Sequence, residues 1–579
     1  MWNRYIVCSV PPSLLANSHG VGSFSQQMTI EMLHGDILLD IFRHTLAAIP
    51  RFWPVLTWVC RRWRQIVLIS PLGLNLRLYC THGTPVLTSL DCWPPLPIIV
   101  EYGGISGLEP PAPEDDDNIV AALEESGRVR SIRLTVTSSL LEKIRSSAAE
   151  PYLELEELFI LSGYNVQLTL PGTFRWGPLL HTLYSTRIAF LSLPQLLSPC
   201  HDLVDLQLHE IPSAGYFPPE AFADALSGMT HLQTLTLHLL SFPRRRSFLG
   251  LPPPERIVLP ALTRLKYRGT SKYLDCLAAR IDAPRLGNID ITFFSQPTMD
   301  ATQFGRFIER VYIQTLLSEG EFQISANAIS LSLFSLSTST SLQLQISCKQ
   351  LDWQLSCMAQ VCDQISQFLI CVKELRISTT RSSSGQESLD GMAGEQWLDL
   401  VRPFSRAGSL WVARGLTADI LCAFGLVYGG NTTMLPSLRH LHIEDPTAID
   451  EPSWDALLSF TTLRSRSGRP LQVNVPFSQC HRCHSSFRLQ KDLDRHLVDR
   501  HAYRTMCSYC DDFECTTRNG NLFRKHLEGE HPILMRSDPF ISNPTLNFYR
   551  LDQLVKRHSS LRAPDIASPS TTSTTPLPQ

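Results

Sequence analysis

The 579-residue chain lacks most of what would mark it as an enzyme, a membrane span or a secreted scaffold. No segment approaches the roughly 18 uninterrupted apolar residues of a spanning helix, so no membrane role is expected. The start, MWNRYIVCSVPPSLLANSHG, has one Arg and a short apolar run broken by Pro. That is too weak for a secretory leader, and an intracellular address is expected, with nucleus and cytoplasm unresolved. Charge of one sign is missing too: 51 Lys and Arg stand against 54 Asp and Glu, for a net −3. This excludes a global polyanion binder and leaves only local nucleic-acid contact. Phosphate loop, dinucleotide fingerprint and nucleophile elbow are all absent, so a non-catalytic role is expected. Glycine is scarce, 30 against 40 Pro, which predicts many short elements separated by turns. The 16 Cys are too dilute for a disulfide scaffold. Eleven are scattered before residue 480, mostly in apolar stretches, and read as buried thiols. Five fall within 480–515 and need a separate cause.

What is present is a hydrophobic content of 43%, ample for a core, in a chain long enough for about four units. Residues 1–28 read as a flexible arm, and 29–80 are dense in apolar residues and Trp at helical spacing. Residues 81–127 form a Pro-rich connection whose run Glu114, Asp115, Asp116, Asp117 reads as a solvated acidic loop. Residues 128–476 are leucine-rich, 477–535 hold a Cys/His cluster, and 536–579 end in SPSTTSTTPLPQ, a tail expected to be largely disordered.

In the helical segment, Asp36 is the expected N-cap of a helix carrying Ile37, Leu38, Leu39, Ile41, Phe42 and Leu46. Those residues cover more than one stripe. After Pro50 and Pro54, a second helix is expected over Val55–Ser70, with Leu56, Val59, Trp63, Ile66 and Val67 on one face. Trp53, Trp58 and Trp63 fall within eleven residues. So much apolar surface in about 50 residues implies a face that another protein covers. These residues resemble the F-box. Its first part is matched at Leu33, Asp36, Ile37, Leu38, Ile41 and Phe42, its second at Val59, Cys60, Arg61 and Trp63. His34 stands where the family has Pro, and Asp36 where it has Glu. The stretch that follows, from Ser70 to Val100, is similar to large fungal families of F-box proteins. The resemblance implies docking on the Skp adaptor of a cullin-based ubiquitin ligase, through Leu33, Ile37, Leu38, Ile41, Phe42, Val59, Cys60 and Trp63.

A pattern apolar-x-x-apolar-x-apolar begins at Val129, Leu155, Leu180, Leu203, Leu232, Leu262 and Leu286, at intervals of 26, 25, 23, 29, 30 and 24 residues. It continues at Ala328, Val372, Ala407 and Leu438, at 42, 44, 35 and 31. Leucine-rich repeats have periods of about 20–29 residues: a short strand points alternate side chains inward, and a return segment leads to the next strand. The Asn or Cys ladder residue is missing, so a degenerate leucine-rich-repeat-like solenoid is expected, each unit burying its apolar face against its neighbours. The combination resembles the F-box/leucine-rich-repeat class, which implies that the repeats hold a protein client. The triplet Arg244, Arg245, Arg246 reads as a solvated loop, with a nuclear signal or acidic-partner contact as the alternative.

Cys480 and Cys483 are separated by two residues, twelve residues lead to His496, and four more to His501. Phe487 and Leu493 take the core positions of a two-Cys, two-His zinc finger. Two thiolates on a hairpin and two imidazoles one turn apart on a helix make a tetrahedron suited to zinc. A second unit has Cys507 and Cys510, then 15 residues to His526 and four to His531, with Phe523 in the position of Leu493. Its longer spacer contains Cys515, which leaves that residue as a rival ligand. His526 and His531 are five apart, not the four of a metalloprotease helix, so a closed structural site is the reading. The base-reading helix positions fall on Leu489, Asp492, Arg495, Asn519, Leu522 and Lys525, and two Leu among six read bases poorly. Residues 476–535 hold nine Lys or Arg against eight Asp or Glu, which gives little phosphate attraction.

The expected architecture is therefore multidomain α/β: an N-terminal helical F-box, a leucine-rich-repeat-like α/β solenoid and C-terminal ββα zinc fingers. The expected function is that of a substrate-receptor subunit of a Skp–cullin–F-box ubiquitin ligase, with zinc as cofactor. The alternative is a zinc-finger nucleic-acid-binding regulator with an N-terminal protein-interaction domain.

Overall fold

The computed structural model describes residues 30–474, apart from short internal stretches of which the longest are 103–110, 241–255, 380–393 and 427–434. It also describes three short strands at 504–506, 514–516 and 561–562. The chain divides into two compact units: residues 1–158 with 173–176, and residues 159–172 with 177–579. The architecture is mixed α/β.

The first unit opens with α1 (Gly35–Ala48), a turn at Pro50–Phe52, α2 (Trp53–Val59) and α3 (Arg61–Ile69). Then come β1 (Leu78–Cys80), α4 (Val86–Cys92), β2 (Ile98–Tyr102), α5 (Asp116–Glu124), β3 (Val129–Val136) and α6 (Ser138–Ser147). Strands β1, β2 and β3 are adjacent and parallel. The described part of the stretch expected as a Pro-rich connection thus contains α4, β2 and α5. Its acidic run is not a solvated loop: Asp115 and Asp116 are buried where α5 begins. There the free N–H groups of a first helical turn favour carboxylates. Asp115 lies 2.8 Å from His82 Nδ1, and Lys143 bridges Asp116 at 3.3 Å and Asp117 at 2.9 Å.

The second unit begins within β4 (Glu157–Ser162) and continues with β5 (Leu168–Leu170), β6 (Thr182–Thr186), β7 (Ile188–Phe190), α7 (Leu193–Leu197), β8 (Asp205–Ile211), α8 (Pro219–Leu226) and β9 (Thr234–Leu239). It goes on with β10 (Ile257–Val258), β11 (Arg264–Gly269), α9 (Ser271–Ala278), β12 (Ile281–Asp282), β13 (Asn288–Phe294) and α10 (Thr302–Val311). A hairpin series follows: β14 (Glu319–Ile324), β15 (Ala328–Phe334) and β16 (Ser341–Ser347). Beyond it lie α11 (Leu351–Gln364), α12 (Ser366–Leu369), β17 (Glu374–Thr379), α13 (Gly394–Val401), β18 (Ser409–Val412), α14 (Thr417–Leu426), β19 (His440–Ile443), α15 (Glu451–Arg466) and β20 (Gln472–Asn474). Last come β21 (Arg504–Met506), β22 (Glu514–Thr516) and β23 (Leu561–Arg562).

Within this unit the main sheet runs β4-β6-β8-β9-β11-β13-β16-β15-β14-β17-β18-β19-β20, with β5-β7 and β10-β12 as two small parallel pairs. The register aligns Leu183, Leu206, Leu235, Leu265, Ile289 and Leu342 across six strands, all buried. A second row aligns Leu208, Leu237, Tyr267, Ile291 and Leu344. Each fully buried side chain of this size contributes roughly 1.5–3 kcal/mol, so these rows are the unit's main cohesive element. Successive helices α7 to α10 touch one another in order, as do α13, α14 and α15. Return helices separate β6 from β8, β8 from β9, β11 from β13, and β17, β18, β19 and β20 from one another; among the described residues none separates β4 from β6 or β9 from β11. The segment starting at Ala328 is not a parallel rung; β15 is antiparallel to both β14 and β16.

Cys80, Cys200, Cys357 and Cys362 are buried, as expected of core thiols, and burial pushes the Cys80 thiol up to about 12 despite Arg128. Cys60 and Cys92 are exposed instead. Among the described residues no helix is long and apolar enough to cross a membrane.

Candidate functional site

The N-terminal three-helix module is built on a small interior. Leu38, Phe42 and Leu46 recur at i, i+4 and i+8 along α1 and are buried, as are Trp53, Leu56 and Val67. Phe42 meets Trp63 edge to face, with ring centroids 4.8 Å apart. Trp53 meets Trp93 in the same manner at 4.7 Å and donates its indole N–H to Arg77 O at 2.7 Å. Arg64 Nε donates to Thr57 O at 2.9 Å, and Arg62 donates to Leu33 O, so the polar residues of α3 fasten the helices to each other.

Two local expectations are corrected here. The N-cap of α1 is His34, not Asp36: its Nδ1 accepts the Asp36 N–H at 3.4 Å, and Asp36 lies in the first turn. His34 thus supplies the cap through its imidazole. Val55–Ser70 is not one helix. Cys60 breaks it with extended backbone (φ −157°, ψ 168°), and its thiol accepts the Trp63 N–H at 3.4 Å. A side-chain acceptor at that position satisfies one of the free donors of α3 and starts a second helix.

Several apolar side chains of the module remain outside. Ile37 and Ile41 share the outer face of α1 at 49% and 39% exposure. Trp58 and Val59 end α2 at 55% and 56%. Of the residues expected at the adaptor, Ile37, Ile41, Val59 and Cys60 are exposed, and Leu33 and Trp63 are half-buried. Leu38 and Phe42 are interior and support the helix rather than present it. Trp58 was not among the expected contacts, because uninterrupted helical spacing gives no sign that α2 ends beside it.

In the second unit the outward rows of β8 and β11 are polar. Asp205, Gln207 and His209 alternate with buried Leu206 and Leu208 on β8; Arg264, Lys266 and Arg268 line β11. Lys266 stands 4.0 Å from Asp290 on the next strand. Farther along, the register sets Arg376, Trp411 and His442 side by side. Trp411 and His442 stack at 3.8 Å with planes 5° apart, and the Arg376 guanidinium lies 5.4 Å from the Trp411 ring. Tyr184, His209 and His238 form another ring cluster, with centroids 5.0 and 4.8 Å apart. Burial lowers the His209 pKa, against Glu210 and Asp205 and helped by Lys266. It pushes His238 down to about 4, helped by His209, Arg268 and Lys266 and opposed by Glu210.

The expected zinc ligands Cys480, Cys483, His496, His501, Cys507, Cys510, His526 and His531 lie outside the described residues, as does the Arg244–Arg246 triplet. Strands β21 and β22 are antiparallel, with Cys515 opposite Thr505. The connection between them, 507–513, is the stretch of sequence that holds Cys507 and Cys510. Among the described residues no group of three or more His, Cys, Asp or Glu converges as a metal cluster.

No protein-family model matches the chain, and no curated protein matches it. Among solved structures, the leucine-rich repeat-containing protein LegL7 from Legionella pneumophila aligns with 67% of this chain and 98% of its own, at 9% identity and a TM-score of 0.23. A TM-score that low says nothing of shared fold or function.

Proposed function

We propose that the chain is a non-catalytic substrate receptor of a Skp–cullin–F-box ubiquitin ligase. The three-helix module docks the Skp adaptor, and the polar face of the leucine-rich-repeat-like sheet holds a protein client. The C-terminal fingers extend that surface around zinc. The work done is proximity: one part holds the ligase core while another holds the client's lysines near it. The observation that carries the reading is the split within α1. Leu38 and Phe42 complete the module's interior while Ile37 and Ile41 stay in water one residue away. A helix that packed only on its own domain would not keep a second apolar stripe outside. The solvent-facing Arg376–Trp411–His442 stack supports the client role, since Trp and Arg dominate the energetic centres of protein interfaces.

The test is co-purification of the full chain with the Skp adaptor and cullin, with and without Ile37→Asp plus Ile41→Asp. Adaptor recovered with the wild-type chain and lost from the variant supports the reading. No adaptor on either chain, together with a salt-dependent gel shift on random duplex DNA, favours the nucleic-acid-binding regulator instead.

A further inference from the structure

The imidazoles of His209 on β8 and His238 on β9 face each other on the solvent side of the second unit, with Nδ1 atoms 3.2 Å apart and ring planes at 87°. Three observations say that this pair is positioned. First, a hydrogen-bonded chain fixes the tautomer of His209. A carboxylate only accepts, so Asp205 Oδ2 takes the amide N–H of Gln207 at 2.8 Å. That turns Gln207 Oε1 toward His209 Nε2 at 3.3 Å, where it accepts the ring N–H. Nδ1 of His209 is therefore left with a lone pair aimed at His238. Second, β8 bulges immediately beyond His209. The ladder shifts between Leu208 and Ile211, and Glu210 sits in the left-handed region at φ 51°. Third, Arg187 on the neighbouring chain segment is also left-handed at φ 60°. Its N–H donates to His209 O at 3.0 Å, and its guanidinium pairs with Glu210 at 2.5 Å. Two strained non-glycine residues locked together beside one side chain re-aim it, as bulges do next to functional groups.

We propose that His209 and His238 form a two-imidazole site for a divalent transition-metal ion of the zinc class, its remaining positions open to water or to a ligand from a bound partner. With metal–nitrogen bonds of about 2.0–2.1 Å and an angle of about 100–110°, two ligand nitrogens lie roughly 3.1–3.4 Å apart, which the pair already satisfies. Without metal, His238 donates its Nδ1 proton to His209 Nδ1. On binding, that proton moves to Nε2 of His238 and the freed lone pair joins that of His209, so both ligands stay neutral and the proton count balances. The Asp205–Gln207–His209 chain is the outer support that metal-binding imidazoles ordinarily have. Lys266 and Arg268 oppose a bare cation, and Asp205 and Glu210 favour it. A site with two protein ligands in that mixed field binds reversibly, unlike a closed four-ligand finger.

The site is tested on the full chain with zinc alone. The chain is first saturated at its tight thiolate sites, and further zinc is counted by equilibrium dialysis up to about 100 µM free metal, a range set by open two-ligand coordination. Wild type takes up one more zinc than His209→Gln or His238→Gln. The same count in all three chains overturns the site. Should either variant fail to fold by circular dichroism, Gln207→Leu decides, since it removes only the support of the ring. It weakens the extra zinc by about 10–100-fold, and unchanged affinity overturns the site equally. The result is independent of adaptor docking, so each reading fails separately.

Discussion

Adjacent residues on α1 make opposite predictions. Ile37 and Ile41 are 49% and 39% exposed, which for two isoleucines is on the order of 160 Å² of apolar surface in water. Covering that area on a partner is worth about 4 kcal/mol at 25 cal/mol per Å². Ile37→Asp plus Ile41→Asp forfeits that gain and sets charge in a closed contact. Adaptor affinity should then fall by roughly three orders of magnitude, while stability changes little, since neither side chain fills the interior. Leu38, between them in sequence, is fully buried, and Leu38→Ala should cost about 3–5 kcal/mol of stability through lost transfer energy and the cavity left behind. The assays are thermal unfolding of each chain and isothermal titration with purified Skp adaptor. If the Ile pair destabilises the fold as Leu38→Ala does, or leaves adaptor binding unchanged, the outer stripe is not a docking face.

Four further outcomes are expected. Trp58→Ala, at 55% exposure, should weaken adaptor binding by tenfold or more, by about 1–3 kcal/mol, with an unchanged melting curve; a lowered melting temperature with normal binding refutes it. Cys480→Ser plus Cys483→Ser should lower the zinc content by one per chain in elemental analysis, and undiminished zinc would sink the first finger. His238 is held neutral by burial with a folded pKa of about 4, below its unfolded value, so its contribution to stability is full above about pH 6.5 and is lost as pH falls toward 4. After solvent screening of a half-buried ring this is about 1–2 kcal/mol, read in chelator by denaturation from pH 8 to pH 5, and His238→Asn should flatten that slope. Gly305→Ala on α10 would set a methyl group 2.7 Å from Gln364 O, and it should cost about 1–3 kcal/mol in the same unfolding assay; a neutral result would mean the helices part freely.

The repeat pattern located the strands because its first apolar residue serves the interior below the strand. Leu155, Leu180, Leu203, Leu232, Leu262 and Leu286 are all buried, and each strand begins two residues later. Where that leading residue is missing the strands were not legible. Leu342, Leu344 and Ile346 alternate cleanly in β16 but follow a Ser/Thr-rich stretch, and Ile98–Tyr102 of β2 sits among prolines. The acidic run was misread for a related reason: charge density says solvent, and only the position of Asp115 and Asp116 at a helix start reverses it. The imidazole pair had no signal in sequence, since His209 and His238 are 29 residues apart and meet only through strand pairing. Nor could spacing reveal that Cys60 caps α3, because an uninterrupted apolar register is the same for one helix or two.

The two longest intervals after Leu286, 42 and 44 residues, have a topological cause. Chain direction at the sheet survives an insertion only if the number of added strands suits the return helices. Between β13 and β17 the chain adds β14, β15 and β16 in reversed spatial order, so that β16 is parallel to β13 and β14 is parallel to β17. The connection through α10 and the one through α11 then each step over three strand widths, about 14 Å, instead of one. Both crossovers occupy the same stretch of sheet and must pass closely. Gly305 admits the backbone of Gln364 where any side chain would collide. Gln360 and Gln364 of α11 take the N–H groups of Met299 and Ala301 ahead of α10, and Asp275 of α9 takes those of Gln303 and Phe304 at 2.6 and 3.0 Å. With two added strands the chain would have emerged at the opposite end of the sheet, needing no return helix, and the helical layer would have been left open there. Three strands keep the direction, and the glycine and glutamines are what let the doubled crossover pack.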